Sequence, residues 1–245
     1  MKLAALIAAR WASASFPGKA LTPLWGRPMI EHVYRRSQAI AGLDQALVVT
    51  DSPEIERAVR GFGGRVIGTG PQNVSDTDHL AEAVETLGLA ADDLVLAIPA
   101  DQPAFNPEHP ALLASALRED PSLDMATLAF NLTDPEAIGS PALVKAAFGA
   151  DHRAVYFSRA SVPWPQDGEE EFYRHIGFYA YRAAFLRRFV SWPEGRLERI
   201  ERLEILRALE NGARIKVVLV NDLGPEVNLP GDVKAAEEVL RLEHN

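Results

Sequence analysis

Cysteine is absent from this chain of 245 residues. Without thiols, the protein forms no disulfide, holds no metal through thiolates and has no cysteine nucleophile. Any metal is therefore expected to bind through oxygen or imidazole ligands, and oxygen ligands favour a hard ion such as Mg²⁺.

Long apolar runs and an excess of positive charge are also missing. No apolar run approaches the roughly 20 residues that a membrane helix requires, and the first strand lacks the charged flank and cleavage site of a signal peptide. The formal net charge of −9 has the wrong sign for broad contact with a nucleic-acid backbone. We therefore expect a cytoplasmic protein that binds neither membranes nor nucleic acids. A small anionic substrate in a local basic pocket is compatible with this charge.

The composition is otherwise that of a globular protein. Hydrophobic residues make up 47% of the chain and charged residues 24%. A chain of this length can bury a full core without covalent staples, so the sequence predicts a single domain over residues 1–245.

The first apolar segment, residues 3–8, predicts a strand buried on both faces. The small residues that follow let backbone N–H groups approach an anion, while Arg10 and Lys19 supply positive charge. This pattern indicates a phosphate-binding loop, although it lacks the spacing of the GxxxxGK[ST] and GxGxxG motifs. An ordinary surface turn at Phe16, Pro17 and Gly18 is the alternative.

Strands and helices alternate through the first half of the chain, which predicts an α/β fold with a doubly wound, mostly parallel sheet. Strands are predicted at 46–50, 65–67 and 93–98, and helices at 28–40, 53–62 and 78–87. Arg10, Asp51 and Asp101 follow predicted strands and should share the rim at their carboxyl ends. Asp101 is the best metal-ligand candidate there, and a turn aspartate is the alternative.

The second half combines strands and helices in another order. Strands are predicted at 125–130, 144–148, 155–159, 173–182 and 217–220, helices at 183–190, 197–211 and 231–242, and a helical turn near Pro135. Alternation along 173–182 puts His175 and Tyr179 on one face and Ile176 and Phe178 on the other. The histidine and tyrosine could line a site or belong to an ordinary core.

Several segments in order resemble the CMP-Kdo synthetases, the 3-deoxy-manno-octulosonate (Kdo) cytidylyltransferases. They lie at 9–13, 17–19, 26–30, 126–128, 144–145, 156–160, 162–164, 174–177 with Tyr179, and 197–207. The resemblance covers almost the whole chain. It implies a nucleotide-diphospho-sugar transferase-like fold, with a nucleotide-binding part at about 1–120. The part at about 121–245 would carry a smaller mixed-sheet insertion used for dimerisation and acceptor binding, which implies a homodimer.

The resemblance also implies a reaction, in which the anomeric hydroxyl of Kdo, or of a close ulosonic acid such as 8-amino-Kdo, attacks the α-phosphate of CTP. The partners are thus CTP and a small sugar acid, and the cofactor is Mg²⁺. The residues carried over by motif fall into three groups. The nucleotide group comprises Ala9, Arg10, Ser13, Lys19, Ser75 and Thr77. The catalytic residues are Lys19 and Asp101, with Asp101 and Asn228 as metal ligands. The acceptor group comprises Arg159, His175, Tyr179 and Glu204.

Two residues of the acceptor group also have interpretations without a role in binding. Arg159 could be a surface charge on a strand, and Glu204 could be a solvated member of a charged helix.

Some positions depart from the family pattern. Ser15 and His79 stand where arginines are usual, Pro99 and Ile205 where glutamines are usual, and Asn228 where the second metal-binding aspartate is usual. An amide oxygen brings no charge to a magnesium site, so metal affinity should fall. These departures keep two alternatives open, a catalytically weakened nucleotide-binding relative and a nucleotidyltransferase for a different small acid.

Overall fold

The computed structural model describes residues 1–11, 16–73, 75–166 and 171–243. The strands are β1 (Leu3–Ala8), β2 (Pro23–Leu24), β3 (Arg27–Pro28), β4 (Gln45–Thr50), β5 (Val66–Gly68), β6 (Leu94–Pro99), β7 (Met125–Leu132), β8 (Lys145–Phe148), β9 (Ala154–Ser158), β10 (Phe172–Arg182) and β11 (Ile215–Val220). The helices are α1 (Met29–Ser37), α2 (Pro53–Gly61), α3 (Asp76–Thr86), α4 (Glu108–Glu119), α5 (Pro135–Gly139), α6 (Ala183–Ser191), α7 (Arg196–Glu201), α8 (Ile205–Glu210) and α9 (Val233–Glu243). Short 3₁₀ helices lie at Lys19–Leu21 and Pro230–Asp232.

Within the described residues, a nine-stranded sheet runs in the order β11-β7-β10-β6-β1-β4-β5, with β8 paired to β10 and β9 to β8. β6, β1, β4 and β5 are parallel to one another. β10 is antiparallel to both β6 and β7, so β7 and β11 run in the same direction as β6. The predicted α/β fold with a mostly parallel sheet is confirmed, and β8, β9 and β10 form its antiparallel addition.

Alternate residues of β1 enter opposite cores, which explains its continuous apolar sequence. Leu3 and Ile7 pack on the face covered by α1, α2 and α4, while Leu6 packs on the face covered by α3, α6 and α8. Each fully buried large apolar side chain contributes about 1.5–3 kcal/mol to folding. Burial on both faces thereby fixes the rim where the loops after β1, β4 and β6 meet.

The structure corrects the predicted elements at several places. Pro28 precedes α1 in an extended conformation and is not part of its first turn. Helix α4 was not predicted, because Pro107 and Pro110 at its beginning are residues typical of loops. The other strand and helix bounds shift by a few residues.

The largest correction concerns residues 197–211, which form two helices and not one. α7 ends at Glu201, Arg202 adopts a left-handed conformation with φ of 55°, and α8 begins at Ile205. Leu197, Ile200, Leu203 and Leu206 keep helical spacing across this break, and no glycine or proline marks it. The periodicity of the apolar residues therefore predicts one continuous helix, whereas the structure has a turn between two helices.

Candidate active site

The rim of the sheet carries the residues predicted to hold a nucleotide. Ala9 is buried directly after β1, and its N–H donates to the carbonyl of Val49 in the adjacent strand β4 at 2.9 Å. Arg10 is thereby placed at the rim, where its Nε lies 2.7 Å from Asp76 Oδ1 at the start of α3. Ser13 lies outside the described residues, as does the departure at Ser15.

Lys19 and Asp101, the two predicted catalytic residues, are in direct contact. Gly18 has a φ of 70°, which is readily accessible to glycine, and it leads into the 3₁₀ helix that begins at Lys19. Lys19 Nζ donates to Asp101 Oδ2 at 2.6 Å, and both side chains are about one-fifth exposed, at 19% and 18%. This partly buried pair joins the loop after β1 to the loop after β6, so a cation and an anion are held together at the rim.

Asn228, the second predicted metal ligand, follows a residue that is hydrogen-bonded to the backbone of Asp101. The N–H of Val227 donates to the Asp101 carbonyl at 2.9 Å. The same segment approaches the loop after β6 closely at Gly224, where a Cβ would lie 2.6 Å from the Ala104 carbonyl oxygen. Asp232 accepts the N–H of Asn228 at 2.9 Å and thus braces this turn.

The start of α3 connects the rim to the interior. Ser75 caps the helix by accepting the N–H of Asp78, and Asp78 accepts the N–H of Ser75 in return. Thr77 is buried and donates through Oγ1 to Glu204 Oε2 at 2.7 Å. The two residues predicted to lie near the nucleotide therefore order the helix end and hold Glu204.

Two adjoining cavities lie beside this helix end. The inner cavity, of about 210 Å³, is lined by residues that include Asp76, Thr77 and Pro99. The outer cavity, of about 400 Å³, is lined by residues that include His175, Ile205 and Asn228. Gly177, Tyr179 and Glu204 line both cavities, so one continuous region runs from the rim to the outer cavity.

The bulge in β10 shapes the boundary between the cavities. The pairing of β10 with β7 shifts between Ile176 and Tyr179, over Gly177 and Phe178. The predicted alternation is confirmed, since Ile176 and Phe178 enter one core while Tyr179 packs against the other. The rings of His175 and Tyr179 lie 5.6 Å apart between centroids. The strand therefore brings these two predicted acceptor residues to the same cavity.

His175 is held neutral. Burial, with a smaller contribution from the neighbouring Arg174, lowers its pKa to about 3. Thr127 Oγ1 lies 2.9 Å from His175 Nε2 and 3.0 Å from the carbonyl oxygen of Phe178. Because the hydroxyl has only one proton to donate to that carbonyl, it accepts from His175, which assigns the imidazole proton to Nε2. His175 Nδ1 is then a hydrogen-bond acceptor.

Glu204 combines burial with an oxygen that lacks a partner. Burial raises its pKa, while hydrogen bonds from Thr77 and Ser75 oppose the rise. Among the described residues, no group hydrogen-bonds to its buried Oε1. A buried oxygen without a partner carries a desolvation penalty, so Oε1 is suited to accept a hydrogen bond from a ligand.

Arg159, the fourth predicted acceptor residue, is placed elsewhere. It is not among the described residues that line the outer cavity. Its guanidinium donates to the carbonyls of Glu201 at 2.9 Å and Pro141 at 3.0 Å. The geometry thus gives Arg159 contacts that connect two segments of the cavity wall, and a contact with the acceptor stays a prediction.

Buried Lys145 completes that connection. Its Nζ donates to the carbonyls of Ser140, Leu143 and Arg159 at 2.8, 2.7 and 2.7 Å. Burial lowers its pKa, and the positive charge of Arg159 acts in the same direction. Three carbonyl acceptors satisfy all three ammonium protons, so this lysine fixes the cavity wall from inside.

Three charged residues of the outer cavity were missed by sequence reasoning. They are Arg174, Arg202 and Glu226. Arg174 donates to Glu226 at 2.6 Å, which neutralises both charges. Arg174 and Arg202 lie within segments of the family resemblance but were not among the residues carried over from it, and Glu226 lies outside those segments. The break at Arg202 was hidden by the helical spacing around it.

The structure shows where three of the residues that differ from the family pattern lie, His79, Pro99 and Ile205. His79 is buried on α3, with Nδ1 2.7 Å from Thr69 Oγ1, so the imidazole is part of the interior. Pro99 ends β6 and lines the inner cavity, while Ile205 begins α8 and lines the outer one. The two apolar substitutions therefore face the region where a ligand would lie.

A mostly parallel sheet with paired charges at its carboxyl rim and a polar cavity beside them fits an α/β nucleotidyltransferase. Residues 4–215 match the family model described as cytidylyltransferase. This chain belongs to the cytidylyltransferase family.

Two relatives named as cytidylyltransferases match this chain over almost its full length. The chain is 43% identical to an 8-amino-3,8-dideoxy-manno-octulosonate cytidylyltransferase of Shewanella frigidimarina (strain NCIMB 400), with 99% of each chain covered. It is 44% identical to a 3-deoxy-manno-octulosonate cytidylyltransferase of Syntrophus aciditrophicus (strain SB), covering 98% of this chain and 97% of that one.

Solved structures give the same picture of the fold. A CMP:2-keto-3-deoxy-manno-octonic acid synthetase complexed with CTP superposes with a TM-score of 0.94 at 34% identity, covering 99% of this chain and 100% of that one. A 4-diphosphocytidyl-2C-methyl-D-erythritol synthase, at 16% identity and a TM-score of 0.67 with 98% of each chain covered, shares the fold. None of the helices in the described ranges is long and apolar enough to cross a membrane.

Proposed function

We propose that this protein transfers CMP from CTP to the anomeric hydroxyl of Kdo or of 8-amino-Kdo, with release of pyrophosphate. The observation that carries this proposal is the pair of adjoining cavities, which share Gly177, Tyr179 and Glu204 beside the charged rim. A nucleotide at the rim and a sugar acid in the outer cavity would meet at these shared residues. The relatives named for the two acceptors support both candidates.

At the rim, Arg10 and Lys19 would offset the charge of the triphosphate. Each is paired with a carboxylate in the structure, Arg10 with Asp76 and Lys19 with Asp101. Displacement at a phosphate needs positioning and charge stabilisation more than covalent catalysis, and fixed cations supply both. Ser13 is proposed to contact the same phosphates.

The residues present fit a magnesium ion. Mg²⁺ is usually held by one or two carboxylates together with waters and substrate phosphates. Asp101 offers a carboxylate, and Asn228 offers an amide oxygen on the segment hydrogen-bonded to Asp101. When bound, the ion would supply positive charge next to the α-phosphate.

In the outer cavity, mostly neutral groups would orient the acceptor. His175 Nδ1 and Glu204 Oε1 are acceptors for sugar hydroxyls, and the Tyr179 hydroxyl stays protonated because burial raises its pKa. Fixed, desolvated partners of this kind discriminate strongly between ligands with and without a matching hydroxyl.

We propose further that two copies of the chain associate. Val155 on β9 is 67% exposed and Trp164 is 82% exposed. Both large apolar side chains lie in the part of the chain, about 121–245, that the resemblance assigns to dimerisation, and their burial against a second copy would be favourable. Light scattering at micromolar concentration should give twice the mass of the chain, and the mass of a single chain would contradict the proposal. The cytoplasmic location stays a prediction.

The test is pyrophosphate release by the purified chain with CTP, Mg²⁺ and either Kdo or 8-amino-Kdo. We expect release with at least one acceptor and a product whose mass equals the acceptor plus CMP less water. Comparing kcat/KM for the two acceptors assigns the preferred one. CTP binding by calorimetry without release from either acceptor would contradict the proposal and favour a nucleotide-binding relative, whereas release only with another acid would favour a different acceptor.

A further inference from the structure

A small third core lies apart from the two cores that cover the faces of the sheet. None of its described members belongs to the nine-stranded sheet, because they come from the β2–β3 hairpin, from α1 and α9, and from loops. Its buried members are Leu24, Met29, Ala104, Val227, Ala236 and Leu240. This third core therefore joins loops to helix α9.

Two members of the third core flank the proposed metal ligands. Ala104 lies three residues after Asp101, and Val227 immediately precedes Asn228. Val227 is fully buried, and its N–H donates to the Asp101 carbonyl at 2.9 Å. The spacing between the two segments that carry the proposed ligands is therefore fixed at the third core.

The phosphate-binding loop reaches the same core. Phe16, three residues before Lys19, is partly buried against it. Leu24, in the hairpin that follows Lys19, is fully buried there. The segments that carry Lys19, Asp101 and Asn228 thus each contribute an apolar side chain to one cluster.

Helix α9 completes the third core without carrying any of the proposed site residues. Its apolar residues Val233, Ala236 and Leu240 recur at spacings of three and four, which puts them on one face of the helix. Ala236 is 0% exposed and Leu240 is 1% exposed. The opposite face of α9 is exposed to solvent. The helix therefore docks on the loops through a single apolar face.

Polar contacts connect α9 to its neighbours as well. Four residues separate Asn228 from the helix, and the last of them, Asp232, accepts the N–H groups of Asn228 and Leu229 at 2.9 and 2.8 Å. Trp25, at the tip of the β2–β3 hairpin, donates its N–H to Glu237 Oε1 at 3.1 Å. A shift of α9 would therefore move the turn that carries Asn228.

We infer that the buried face of α9 positions Asn228 against Asp101 and so sets the affinity of the rim for Mg²⁺ in the presence of a nucleotide. This inference rests on the proposed function, in which these two residues hold Mg²⁺ next to the triphosphate. Ala236 and Leu240 are positioning residues, because their side chains lie in the third core and act on the ligands only through it. Binding is reciprocal, so Mg²⁺ and nucleotide at the rim must also stabilise the docking of α9.

The main test is Leu240→Ala, which removes a large side chain from the third core. Calorimetry measures Mg²⁺ binding to the full chain in the presence of a non-hydrolysable CTP analogue. We expect Mg²⁺ affinity to fall about tenfold, since changes beyond the metal ligands cost about 10–100-fold. At saturating Mg²⁺ the KM for the acceptor should change less than twofold, because no described residue of the third core lines the outer cavity. Leu240→Met should restore Mg²⁺ affinity to within twofold of the wild type.

Hydrogen exchange gives a measurement that does not depend on activity. The Val227 amide, which is bonded to the Asp101 carbonyl, should exchange about tenfold faster in Leu240→Ala, because the turn opens locally more often. In the wild type, Mg²⁺ with the CTP analogue should slow exchange at Val227 and along α9. NMR or mass spectrometry follows both effects.

Leu117→Ala is the matched control, because Leu117 is a fully buried leucine of α4 in another core. It should lower the melting temperature but leave Mg²⁺ affinity and Val227 exchange within twofold of the wild type, at a temperature where both variants are folded. A second pair of variants keeps every buried side chain. Ala236→Leu overpacks the third core, whereas Ala235→Leu adds the same side chain on the exposed face. Only Ala236→Leu should weaken Mg²⁺ binding.

Mg²⁺ affinity and Val227 exchange within twofold of the wild type in both Leu240→Ala and Ala236→Leu would overturn the inference. Equal losses in Leu117→Ala would also overturn it, since the effect would then follow global stability. A wild type that binds the CTP analogue equally well with and without Mg²⁺ would overturn the inference together with the proposed magnesium site. Mg²⁺ binding that depends on Leu240, without pyrophosphate release with either acceptor, would overturn only the proposed function.

Discussion

The rim of the sheet and the wall of the outer cavity handle charge in opposite ways. At the rim, Arg10 with Asp76 and Lys19 with Asp101 form ion pairs on loops that are open to solvent in part. In the wall, the ammonium of Lys145 is fully buried and bonded to three backbone carbonyls, and His175 is neutral. The rim has charges that can exchange partners, which suits phosphates. The wall has fixed hydrogen-bonding groups, which suit a sugar.

The largest effect is expected at the rim. Lys19→Ala and Asp101→Asn should each lower kcat about 10³-fold or more, because each removes a charge that acts on the reacting phosphate. Each variant also leaves the other member of a largely buried ion pair without its partner, so the free energy of unfolding should fall as well and is measured alongside the rate. Pyrophosphate release measures the rate, with Asp222→Asn as a control carboxylate, exposed after β11 at the same edge. Normal rates in either rim variant would show that the site is misassigned.

Substitutions in the wall of the outer cavity should lower the free energy of unfolding. Lys145→Met leaves three carbonyls without their donor and should lower the free energy of unfolding by about 3 kcal/mol. Lys216→Met is the matched control, because Lys216 donates to a single carbonyl, that of Asp151, near the surface. Urea unfolding compares the two. If Lys145→Met lowers the free energy of unfolding by less than about 1 kcal/mol, then Lys145 does not fix the wall of the cavity.

An intermediate effect is expected where rim and wall meet. Asn228→Asp adds a negative charge beside Asp101 and should lower the Mg²⁺ concentration for half-maximal activity about tenfold, because ligand charge strengthens binding of hard cations. Asn131→Asp adds the same charge at an exposed position on β7. An equal shift in both variants would assign the effect to net charge and reject Asn228 as a ligand.

The smallest effect is a displacement of the pH profile. Glu204 accepts a hydroxyl best when ionised, so acceptor kcat/KM should fall as the pH drops through its raised pKa. Thr77→Val removes a hydrogen bond that lowers this pKa, and should move the acidic limb to higher pH with a few-fold loss near neutrality. Glu204→Gln should abolish the limb. An acidic limb unmoved in Thr77→Val would separate Glu204 from acceptor recognition.

The positions of the rim residues could be predicted from the sequence, whereas those of the wall residues could be predicted only in part. Leu3–Ala8 is apolar on both faces, which predicts a covered parallel strand, and the loops after parallel strands converge on one edge. Arg10, Lys19 and Asp101 are thereby located without knowledge of distant contacts. Lys145 and Arg159 act through backbone carbonyls remote in sequence, and carbonyls have no residue signature. The turn at Arg202 has none either, because leucine and isoleucine spacing continues through it.

The transfer itself is tested most directly by the fate of the acceptor's anomeric oxygen. Kdo or 8-amino-Kdo labelled with ¹⁸O at that position is incubated with the protein, CTP and Mg²⁺, and the product is followed by phosphorus NMR and mass spectrometry. We expect pyrophosphate without label and a CMP-sugar acid with ¹⁸O in the bond between sugar and phosphorus. CTP that stays intact with both acceptors, or a product that lacks the label at that bond, would contradict the account.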